Sequence, residues 1–388
     1  MKYIEKTNKI INDRYTEYVY EAFDIQNKEE TTVKIPINFN ECKTFDWNIG
    51  VIYGGSGTGK TTLLKEFGDL TLDDFDDKKP LISNFDWLEP KEATFLLSAM
   101  GLASVPTWLR PFSLLSNGEQ YRASLAYKVG KASENDVILI DEFTSVVDRD
   151  VAKAMSNALQ KYIRRTNKKI ILASCHFDIM EWLLPDWTYS PLKGRLERAS
   201  SRRQRPRIEL QIFRCRYETW NLFKQHHYIS EDLNKSAKCF CVTWNDKPVA
   251  FYAFLPMPSG TVQNAFRGSR SVVLPDFQGL GIGFSVSKYL HKLYTKDNKN
   301  LYVKSVSPAL VKKRMRDGDY KFNGKTKSSD EGGKLKGRKL RDTAAYSFLY
   351  VGDVEDIKDE ELNILKFNAD AYKEVAQNQI SIFDIEGV

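Results

Sequence analysis

The sequence has few of the features that build membrane spans, metal sites or disulfide frameworks. No apolar run approaches the roughly 20 residues that a membrane-spanning helix needs. The first residues, MKYIEKTNKIINDRYTE, are charged and lack the apolar core of a secretion signal. No two cysteines have the CxxC spacing of a zinc site. The cysteines are Cys42, Cys175, Cys215, Cys239 and Cys241. We therefore expect a cytoplasmic protein with reduced thiols and no membrane span.

Positive charge is present but unevenly distributed along the 388 residues, whose net charge is +7. Residues 312–341 carry 12 Lys and Arg against four Asp and Glu, and a second basic stretch, RRQRPR, occupies 202–207. Basic segments of this kind attract phosphate backbones. A solvated loop and linker are the alternative interpretation, and charge alone does not separate the two.

A glycine-rich segment at 53–62, YGGSGTGKTT, follows the apolar stretch IGVIY and precedes a predicted helix. It matches G-x-x-x-x-G-K-[ST], in which backbone N–H groups bind phosphates, the lysine reaches the β- and γ-phosphates and the last hydroxyl ligates Mg²⁺. The segment predicts an ATP site, with Thr61 as a magnesium ligand. The predicted nucleotide-binding residues are Gly54, Gly55, Ser56, Gly57, Thr58, Gly59, Lys60, Thr61 and Thr62.

Further motifs follow this phosphate-binding loop in a set order. VILIDEF places Asp141 and Glu142 after an apolar strand, where Asp141 would complete the magnesium shell and Glu142 would activate the attacking water. LLSNGEQ lies between the two motifs, SVVD follows at 145–148, and His176 comes after the strand KKIILAS. Together these segments resemble the signature, D-loop and switch histidine of the ATP-binding-cassette (ABC) ATPases.

This resemblance implies a head-to-tail homodimer that closes on ATP. Ser116 and Gly118 of one protomer would contact the γ-phosphate bound by Lys60 of the other, Asp148 would belong to the D-loop, and His176 would sense the γ-phosphate. Two family features are not found in the expected form. No clear Q-loop glutamine lies between the phosphate-binding loop and the signature, and the aromatic residue that stacks on adenine stays open between Tyr20 and Phe23.

A second glycine-rich loop lies in SVVLPDFQGLGIGFSV at 271–286, between a predicted strand and a predicted helix. The pattern Q-x-x-G-x-G, with a valine five positions before the glutamine, resembles the acyl-CoA-binding motif of the GNAT N-acetyltransferases. Small residues allow successive N–H groups to face a pyrophosphate at the start of the helix. The predicted acetyl-CoA or other acyl-CoA contacts are Val273, Gln278, Gly279, Leu280, Gly281, Ile282 and Gly283.

The acyl-transfer step requires a base for the amine and an acid for the departing thiolate. The base is left open between His226, His227 beside Tyr228, and Asp276, which precedes the glycine-rich loop. Tyr320, after the helix that follows the motif, is the predicted acid. Ser307 is a further hydrogen-bonding candidate.

Local patterns predict the elements around this second motif. The segment YETWNLFKQHHYI at 217–229 predicts a helix, KCFCVTWN and KPVAFYAFLP predict paired strands, and residues 323–339 predict a Gly/Lys/Ser-rich loop. Cys239 and Cys241 are two residues apart on a predicted strand and would share a buried face.

The fold class predicted is α/β, with an N-terminal P-loop ABC ATPase domain followed by a GNAT-like mixed α/β acyltransferase domain. We expect the ATPase domain over 1–195, a basic linker over 196–206, the GNAT-like domain over 207–352 and an acidic tail over 353–388. The arrangement resembles prokaryotic and phage ABC-type ATPases fused to a predicted acetyltransferase.

The sequence favours an ATPase coupled to acyl transfer onto nucleic acid, with DNA the preferred acceptor. Two alternatives remain: a GNAT-like domain that only binds or senses a ligand, and an ATP-regulated acetyltransferase for a small amine or protein. Near the end, QISIF resembles the peptide by which bacterial replication proteins bind the sliding clamp, although these residues would also suit packing onto the parent domain. They are Gln379, Ile380, Ser381, Ile382 and Phe383.

Overall fold

The structure is a computed structural model that describes residues 2–26, 29–133, 136–199, 204–227, 232–295, 299–326 and 345–353. The elements of the first half are β1 Lys2–Lys9, α1 Arg14–Ala22, β2 Glu30–Ile37, β3 Ile49–Tyr53, α2 Lys60–Leu64, α3 Pro90–Ala99, α4 Val105–Trp108, α5 Asn117–Lys131, β4 Val137–Ile140, α6 Arg149–Thr166, β5 Lys169–Ser174, α7 Met180–Leu183, β6 Trp187–Ser190 and β7 Arg195–Arg198. Those of the second half are β8 Gln211–Cys215, β9 Lys238–Trp244, β10 Lys247–Pro256, β11 Ala265–Val273, α8 Ile282–Thr295, β12 Asn300–Ser305, α9 Pro308–Arg316, β13 Tyr320–Thr326 and β14 Ala345–Tyr350.

The chain divides into two compact units. Unit 1 contains Met1–Leu102 and Leu109–Pro206, and unit 2 contains Ala103–Trp108 and Arg207–Val388. Each unit has a large sheet of its own, and the predicted α/β class is confirmed. The domain limits expected at 195, 206 and 352 stay predictions.

The sheet of unit 1 has the strand order β4-β5-β3-β6-β7, and its first four strands are parallel. β7 pairs antiparallel with β6, and β1 and β2 form a separate two-stranded sheet. The apolar stretches IGVIY and KIILAS supply β3 and β5, which are buried almost throughout, as expected for strands inside a parallel sheet. Because β3, β4 and β5 are parallel, the segments that follow them lie at one edge of the sheet.

Close packing fixes β3 against its neighbour β6. A Cβ atom added at Gly50 would lie 2.1 Å from Cζ2 of Trp187, so only glycine fits here. Trp187 is fully buried and packs edge-on against Trp47, with ring centroids 5.5 Å apart. The aromatic core therefore holds the strand that leads into the first glycine-rich loop.

The sheet of unit 2 has the order β13-β14-β12-β11-β10-β9-β8 and is antiparallel except for the β11–β12 pair. That parallel pairing joins Ala265–Arg267 to Asn300–Tyr302, whereas β11 continues to Val273 and β12 to Ser305. The register of β11 against β10 also shifts, so that Ser269 has no partner between Gly268 and Arg270. A bulge of this kind bends its strand, and β11 and β12 part beyond their first three pairs.

Two predictions for unit 2 are wrong. Residues 217–229 do not form one α-helix: the described part consists of 3₁₀ turns at Tyr217–Leu222 and Lys224–His226. Trp220 and Phe223, three residues apart, both pack on Phe251 of the sheet, and this spacing suits a helix of three residues per turn. The predicted loop at 323–339 begins instead as strand, because Tyr320–Thr326 pairs with Ala345–Tyr350; the part from 327 onward lies outside the described residues.

Other expectations for unit 2 are confirmed. KCFCVTWN and KPVAFYAFLP form the paired strands β9 and β10. Cys239 and Cys241 share a buried face and neither is in a disulfide, and burial raises the pKa of Cys239 to about 11.

Within the described ranges of both units, every helix is too short or too polar to cross a bilayer.

Two candidate ligand-binding loops

The first loop connects β3 to α2 and turns sharply at two glycines. Gly57 and Gly59 have φ angles of +74° and +90°, in the left-handed region that side chains disfavour. Nζ of Lys60 donates to the carbonyl oxygens of Gly54 at 3.0 Å and Gly55 at 2.7 Å. The hydroxyl of Thr58 donates to the same Gly55 oxygen at 2.9 Å. The side chain of Lys60 thus crosses the loop, and its ammonium group lies beside the loop backbone.

The segments after β4 and β5 reach the same sheet edge as this loop. The backbone N–H of Gly54 donates to the carbonyl of Ser174, the last residue of β5, at 3.3 Å. Asp141 follows β4 and is half-buried, and Glu142 after it is exposed. The exposed hydroxyl of Thr61 lies at the start of α2. Two carboxylates, a hydroxyl and a lysine are the groups that hold Mg²⁺ and a triphosphate, so these residues fit the implied ligand.

The backbone around Glu142 is strained and held by hydrogen bonds. Glu142 and Thr144 have φ angles of +50° and +69°, which non-glycine residues rarely adopt. The Thr144 hydroxyl lies 3.1 Å from Nδ1 of His176, and the His176 N–H donates to the hydroxyl of Ser174 at 3.1 Å. Such strain persists where surrounding bonds enforce it, and it is concentrated at functional sites. The predicted base and the predicted phosphate sensor are therefore linked through one threonine.

His176 is half-buried, and its environment favours the neutral imidazole. Burial lowers the pKa of His176, and the neighbouring Arg149 lowers it further, while Asp178 opposes both effects. Arg149 itself is bound to Asp178, with Nε 3.1 Å from Oδ2. A neutral His176 can accept or donate at neutral pH, as a contact to a phosphate oxygen requires.

The signature segment begins helix α5. Ser116 is the N-cap: its hydroxyl accepts the N–H of Glu119 at 3.4 Å, and the Glu119 carboxylate accepts the Ser116 N–H at 3.0 Å. A glutamate or a glutamine can close a capping box at this position, so Glu119 is compatible with the start of the helix. Ser116 is exposed and Gly118 half-buried, so the start of α5 is open to a partner.

Asp148 caps a helix, and the two adenine-stacking candidates lie in or next to α1. Asp148 is exposed and caps α6, because its carboxylate accepts the N–H of Asp150 at 2.9 Å. Tyr20 lies in α1, and Phe23 follows that helix with 69% of its surface exposed. The structure does not choose between these two aromatics.

The second glycine-rich loop connects β11 to α8. Gly279 and Gly281 have φ angles of +85° and +90°, while the side chains of Leu280 and Ile282 between and after them are buried. A Cβ atom added at Gly281 would have nothing within 4 Å, so open space lies in front of this backbone. A Cβ atom added at Gly283 would lie 3.3 Å from Cγ2 of Val273, so the start of α8 packs closely on β11.

Gln278 fixes the shape of this second loop and leaves one polar atom unused. Its Nε2 donates to the carbonyl of Val273 at 2.9 Å. Its Oε1 is buried and has no hydrogen-bond partner. A buried acceptor without a partner carries a free-energy cost, which a ligand with a donor would remove. The exposed backbone and this oxygen fit a pyrophosphate carrier with amide groups, such as coenzyme A.

The predicted catalytic residues of unit 2 do not gather at one point in the described part. Tyr320 is buried, and its hydroxyl lies 2.8 Å from Nδ1 of His291 on α8. Burial raises the pKa of Tyr320, against the effect of Arg314. His227 packs edge-on against Trp220 with ring centroids 5.6 Å apart, and Tyr228 lies outside the described residues.

The other residues predicted to take part in acyl transfer are His226, Asp276 and Ser307. His226 ends the second 3₁₀ turn, with Nε2 3.2 Å from Nε2 of Gln225. Asp276 is exposed in a 3₁₀ turn before the loop, and Ser307 is the half-buried N-cap residue of α9. The roles of these residues stay predictions.

Two residues of these sites were missed by motif reasoning. Tyr121 accepts the Thr144 N–H at 3.3 Å and so connects the signature helix to the loop after β4. His291 is buried between Ser287 and Tyr320. The spacing of His291 four residues after Ser287 on a helix was available in the sequence, whereas the contact of Tyr121 depends on the tertiary fold.

No protein-family model and no curated protein matches the chain. Solved structures similar to parts of it include both ABC cassettes and acetyltransferases. A dimeric ATP-binding cassette with ADP and phosphate bound is 17% identical, with a TM-score of 0.34, over 46% of this chain and 95% of that one.

Two acetyltransferases also match part of the chain. A Bacillus subtilis acetyltransferase in complex with CoA is 8% identical, with a TM-score of 0.30, over 37% of this chain and 99% of that one. The Escherichia coli ribosomal-protein-S18-alanine N-acetyltransferase is 16% identical, with a TM-score of 0.29, over 39% of this chain and 99% of that one. All three identities and TM-scores are low.

Proposed function

We propose that this chain is an ABC-type ATPase coupled to a GNAT-like N-acyltransferase that modifies nucleic acid, with DNA the favoured acceptor. The observation that carries the proposal is the pair of strand–loop–helix turns, each with two glycines in the left-handed region. The φ angles are +74° and +90° in the first loop and +85° and +90° in the second. Such turns direct backbone N–H groups toward an anion, and one chain contains two of them.

In the ATPase unit, Lys60 binds the β- and γ-phosphates, and Thr61 and Asp141 hold Mg²⁺. Glu142 accepts a proton from the attacking water, and His176 contacts the γ-phosphate. Ser116, Gly118 and Asp148 serve the nucleotide of a second protomer, so the active unit is a homodimer. The exposed Ser116 and Asp148 support this assignment.

In the transferase unit, the loop from Gln278 to Gly283 binds the pyrophosphate of an acyl-CoA. The gap between β11 and β12 leaves main-chain groups of β11 without strand partners, and these suit the amides of an extended arm. The acceptor nitrogen attacks the thioester carbonyl, a base takes the amine proton, the C–S bond breaks, and the thiolate leaves and gains a proton. His227 or Asp276 is the proposed base, and Tyr320 the proposed acid.

The acceptor is inferred from charge. The basic stretches at 202–207 and 312–341 suit phosphate groups better than a protonated small amine, which they would repel. The clamp-binding interpretation of Gln379, Ile380, Ser381, Ile382 and Phe383 would place the protein on replicating DNA, but these residues lie outside the described ranges.

The test is transfer of radiolabel from several acyl-CoA donors to DNA or tRNA by the full chain with ATP and Mg²⁺. We expect label in the nucleic acid, and we expect Gly281→Glu, which fills the open space of the second loop with a negative charge, to abolish it. Label that stays in every donor, or that reaches only small amines, would refute the proposal.

One observation favours a second function for unit 2, namely ligand binding without transfer. Tyr320 is buried, and its hydroxyl lies 2.8 Å from Nδ1 of His291 in the core, so this hydroxyl already has a partner inside the protein. A binding-only unit predicts tight CoA association, no labelled product and no loss of function in Tyr320→Phe.

A further inference from the structure

One part of the sheet in unit 2 is uncovered in the described residues. α8 packs on one sheet face, where Phe266 of β11 contacts Tyr294 with ring centroids 5.4 Å apart. On the opposite face, the 3₁₀ turns cover β9 to β11 through Trp220 and Phe223. Side chains alternate along β12: Leu301 and Val303 are buried, whereas Tyr302 is half-buried and Lys304 exposed. Tyr302 and Lys304 therefore lie on the face opposite α8.

The strand register aligns further cations with these two residues. Arg267 of β11 pairs with Tyr302, Tyr302 pairs with Leu349 of β14, and Leu349 pairs with Lys321 of β13. Arg267 and Lys321 are both exposed. They flank Tyr302 in one row, and three strand spacings separate them by about 14 Å. We call Arg267, Tyr302, Lys304 and Lys321 the cationic face.

Most side chains around the cationic face are polar, and no acid among the described residues lines it. A surface groove over this part of the sheet contains Arg267, Tyr302 and Lys304, and Lys321 lies beside this groove and is not part of its lining. The polar residues that line the groove with them are Ser259, Thr261, Asn323, Lys325 and Ser347. Ser347 is the cross-strand partner of Lys304. Among the described residues, no carboxylate forms an ion pair with Arg267, Lys304 or Lys321. Three cations that have no ion-pair partner within the described ranges favour a polyanion.

The cationic face is also separate from the acyl-CoA loop. Arg267 precedes Val273 by six residues of strand, about 20 Å, and the glycine-rich loop begins only after Val273. The phosphates of a carrier at Gly281 would therefore not occupy this groove. A half-buried aromatic ring between cations is the arrangement by which single strands are bound, through stacking of a base and contacts to phosphates.

We propose that the cationic face binds one strand of nucleic acid, with Arg267, Lys304 and Lys321 at backbone phosphates and a base stacked on Tyr302. The inference rests on the proposed function for its choice of nucleic acid as acceptor, but binding itself requires neither ATP nor transfer. A single strand is favoured over a duplex because stacking needs a free base face, which a duplex does not offer.

The test measures fluorescence anisotropy of a labelled 12-nucleotide dT strand with the full chain over a range of salt. We expect Lys304→Glu and Lys321→Glu each to weaken binding at least about tenfold and to lower the slope of log K against log salt by about one. Tyr302→Ala should weaken binding at least about fivefold, but leave an abasic strand of equal length unaffected. Circular dichroism checks that each variant is folded.

The matched control is Lys238→Glu, which makes the same charge change on an exposed residue of β9, outside both basic stretches. Lys238 lies on the α8 side of the sheet, because its Nζ is 5.7 Å from the ring centroid of Phe266, and Phe266 contacts Tyr294 of α8. If the cationic-face variants lose no more affinity than Lys238→Glu does, the proposal is wrong, as it is if a duplex binds more tightly than the single strand. If label still reaches nucleic acid in that case, the proposed function stands. If the strand binds the face but no donor gives up label, the proposed transfer fails and this inference stands.

Discussion

The two glycine-rich loops have nearly the same backbone and opposite surroundings. Gly59 and Gly281 both have a φ of +90°. A Cβ atom at Gly59 would lie 2.5 Å from Cδ1 of Ile35, whereas one at Gly281 would meet nothing within 4 Å. At position 59, both the backbone conformation and the packing against Ile35 require glycine. At position 281, only the backbone conformation favours glycine, because there is space for a side chain. Glycine therefore occurs in a tightly packed loop in unit 1 and in an open loop in unit 2.

The loops also differ in where their polar partners come from. The first lies beside the segments after β4 and β5, which bring Asp141, Glu142 and His176 to one sheet edge. The second relies on Gln278, a residue of its own loop, and on the parting of β11 from β12. An assembled site of the first kind suits bond cleavage, and an open loop of the second kind suits binding a long carrier.

The largest expected effect separates the two loops by chemistry. Glu142→Gln removes the proposed base while keeping the size of the side chain, and we expect ATP turnover to fall at least about 100-fold. Nucleotide affinity and CoA affinity, both measured by calorimetry, should stay within about twofold. Glu181→Gln on α7, an exposed glutamate, is the control. Turnover that matches the control would show that Glu142 is not the base.

A matched pair of substitutions tests the difference in packing. Gly59→Ala should lower the free energy of unfolding by about 2–4 kcal/mol, because left-handed strain adds to the clash with Ile35. Gly281→Ala should cost about 1–2 kcal/mol, since only the strain remains. Urea unfolding of the full chain, followed separately for each unit by hydrogen exchange, measures both.

The control for this pair is Gly318→Ala, where a Cβ atom also has open space and φ is not positive. It should change stability by less than about 1 kcal/mol. Equal losses for Gly59→Ala and Gly281→Ala would show that Ile35 moves aside freely and that the first loop is no more tightly packed than the second.

The sequence indicated the motifs of both loops because their chemistry depends on short, fixed spacings. Lys60 and Thr61 follow the glycines directly, and Gln278 lies three residues before Gly281. The sequence could not indicate the contact of Tyr121 with Thr144. This contact joins α5 to a loop 23 residues later, and it depends on how α5 packs in the folded unit. The helix predicted at 217–229 was wrong for a related reason: burial of Trp220 and Phe223 against Phe251 sets the local turn, and propensity does not.

A smaller effect concerns the buried histidine His291 of unit 2. Burial lowers the pKa of His291 well below its usual value, and Arg314 adds to this. The folded state therefore binds the proton less readily than the unfolded state, so stability is complete above pH 6.5 and declines as pH falls toward the folded pKa. We expect protection of α8 from hydrogen exchange, corrected for intrinsic rates, to fall between pH 7 and pH 5, by at most about 1.4 kcal/mol per pH unit.

His291→Gln supplies the control for that pH dependence, because its amide does not titrate and still offers hydrogen bonds to Ser287 and Tyr320. Its protection should vary less with pH than that of the unsubstituted chain. The same decline in both proteins would assign the effect to other groups.

The smallest expected effect concerns coupling inside the first unit. Tyr121→Phe removes the acceptor of the Thr144 N–H, and the strained turn that holds Glu142 and contacts His176 loses one of its bonds. A hydrogen bond contributes about 0.5–1.5 kcal/mol, so we expect ATP turnover to fall about two- to tenfold with nucleotide affinity unchanged. Tyr127→Phe, on the same helix and packed edge-on against Trp87, controls for loss of a hydroxyl. If both variants turn over ATP at the unsubstituted rate, the signature helix does not act on its own protomer's base through this contact, and Ser116 and Gly118 would influence hydrolysis only through the partner.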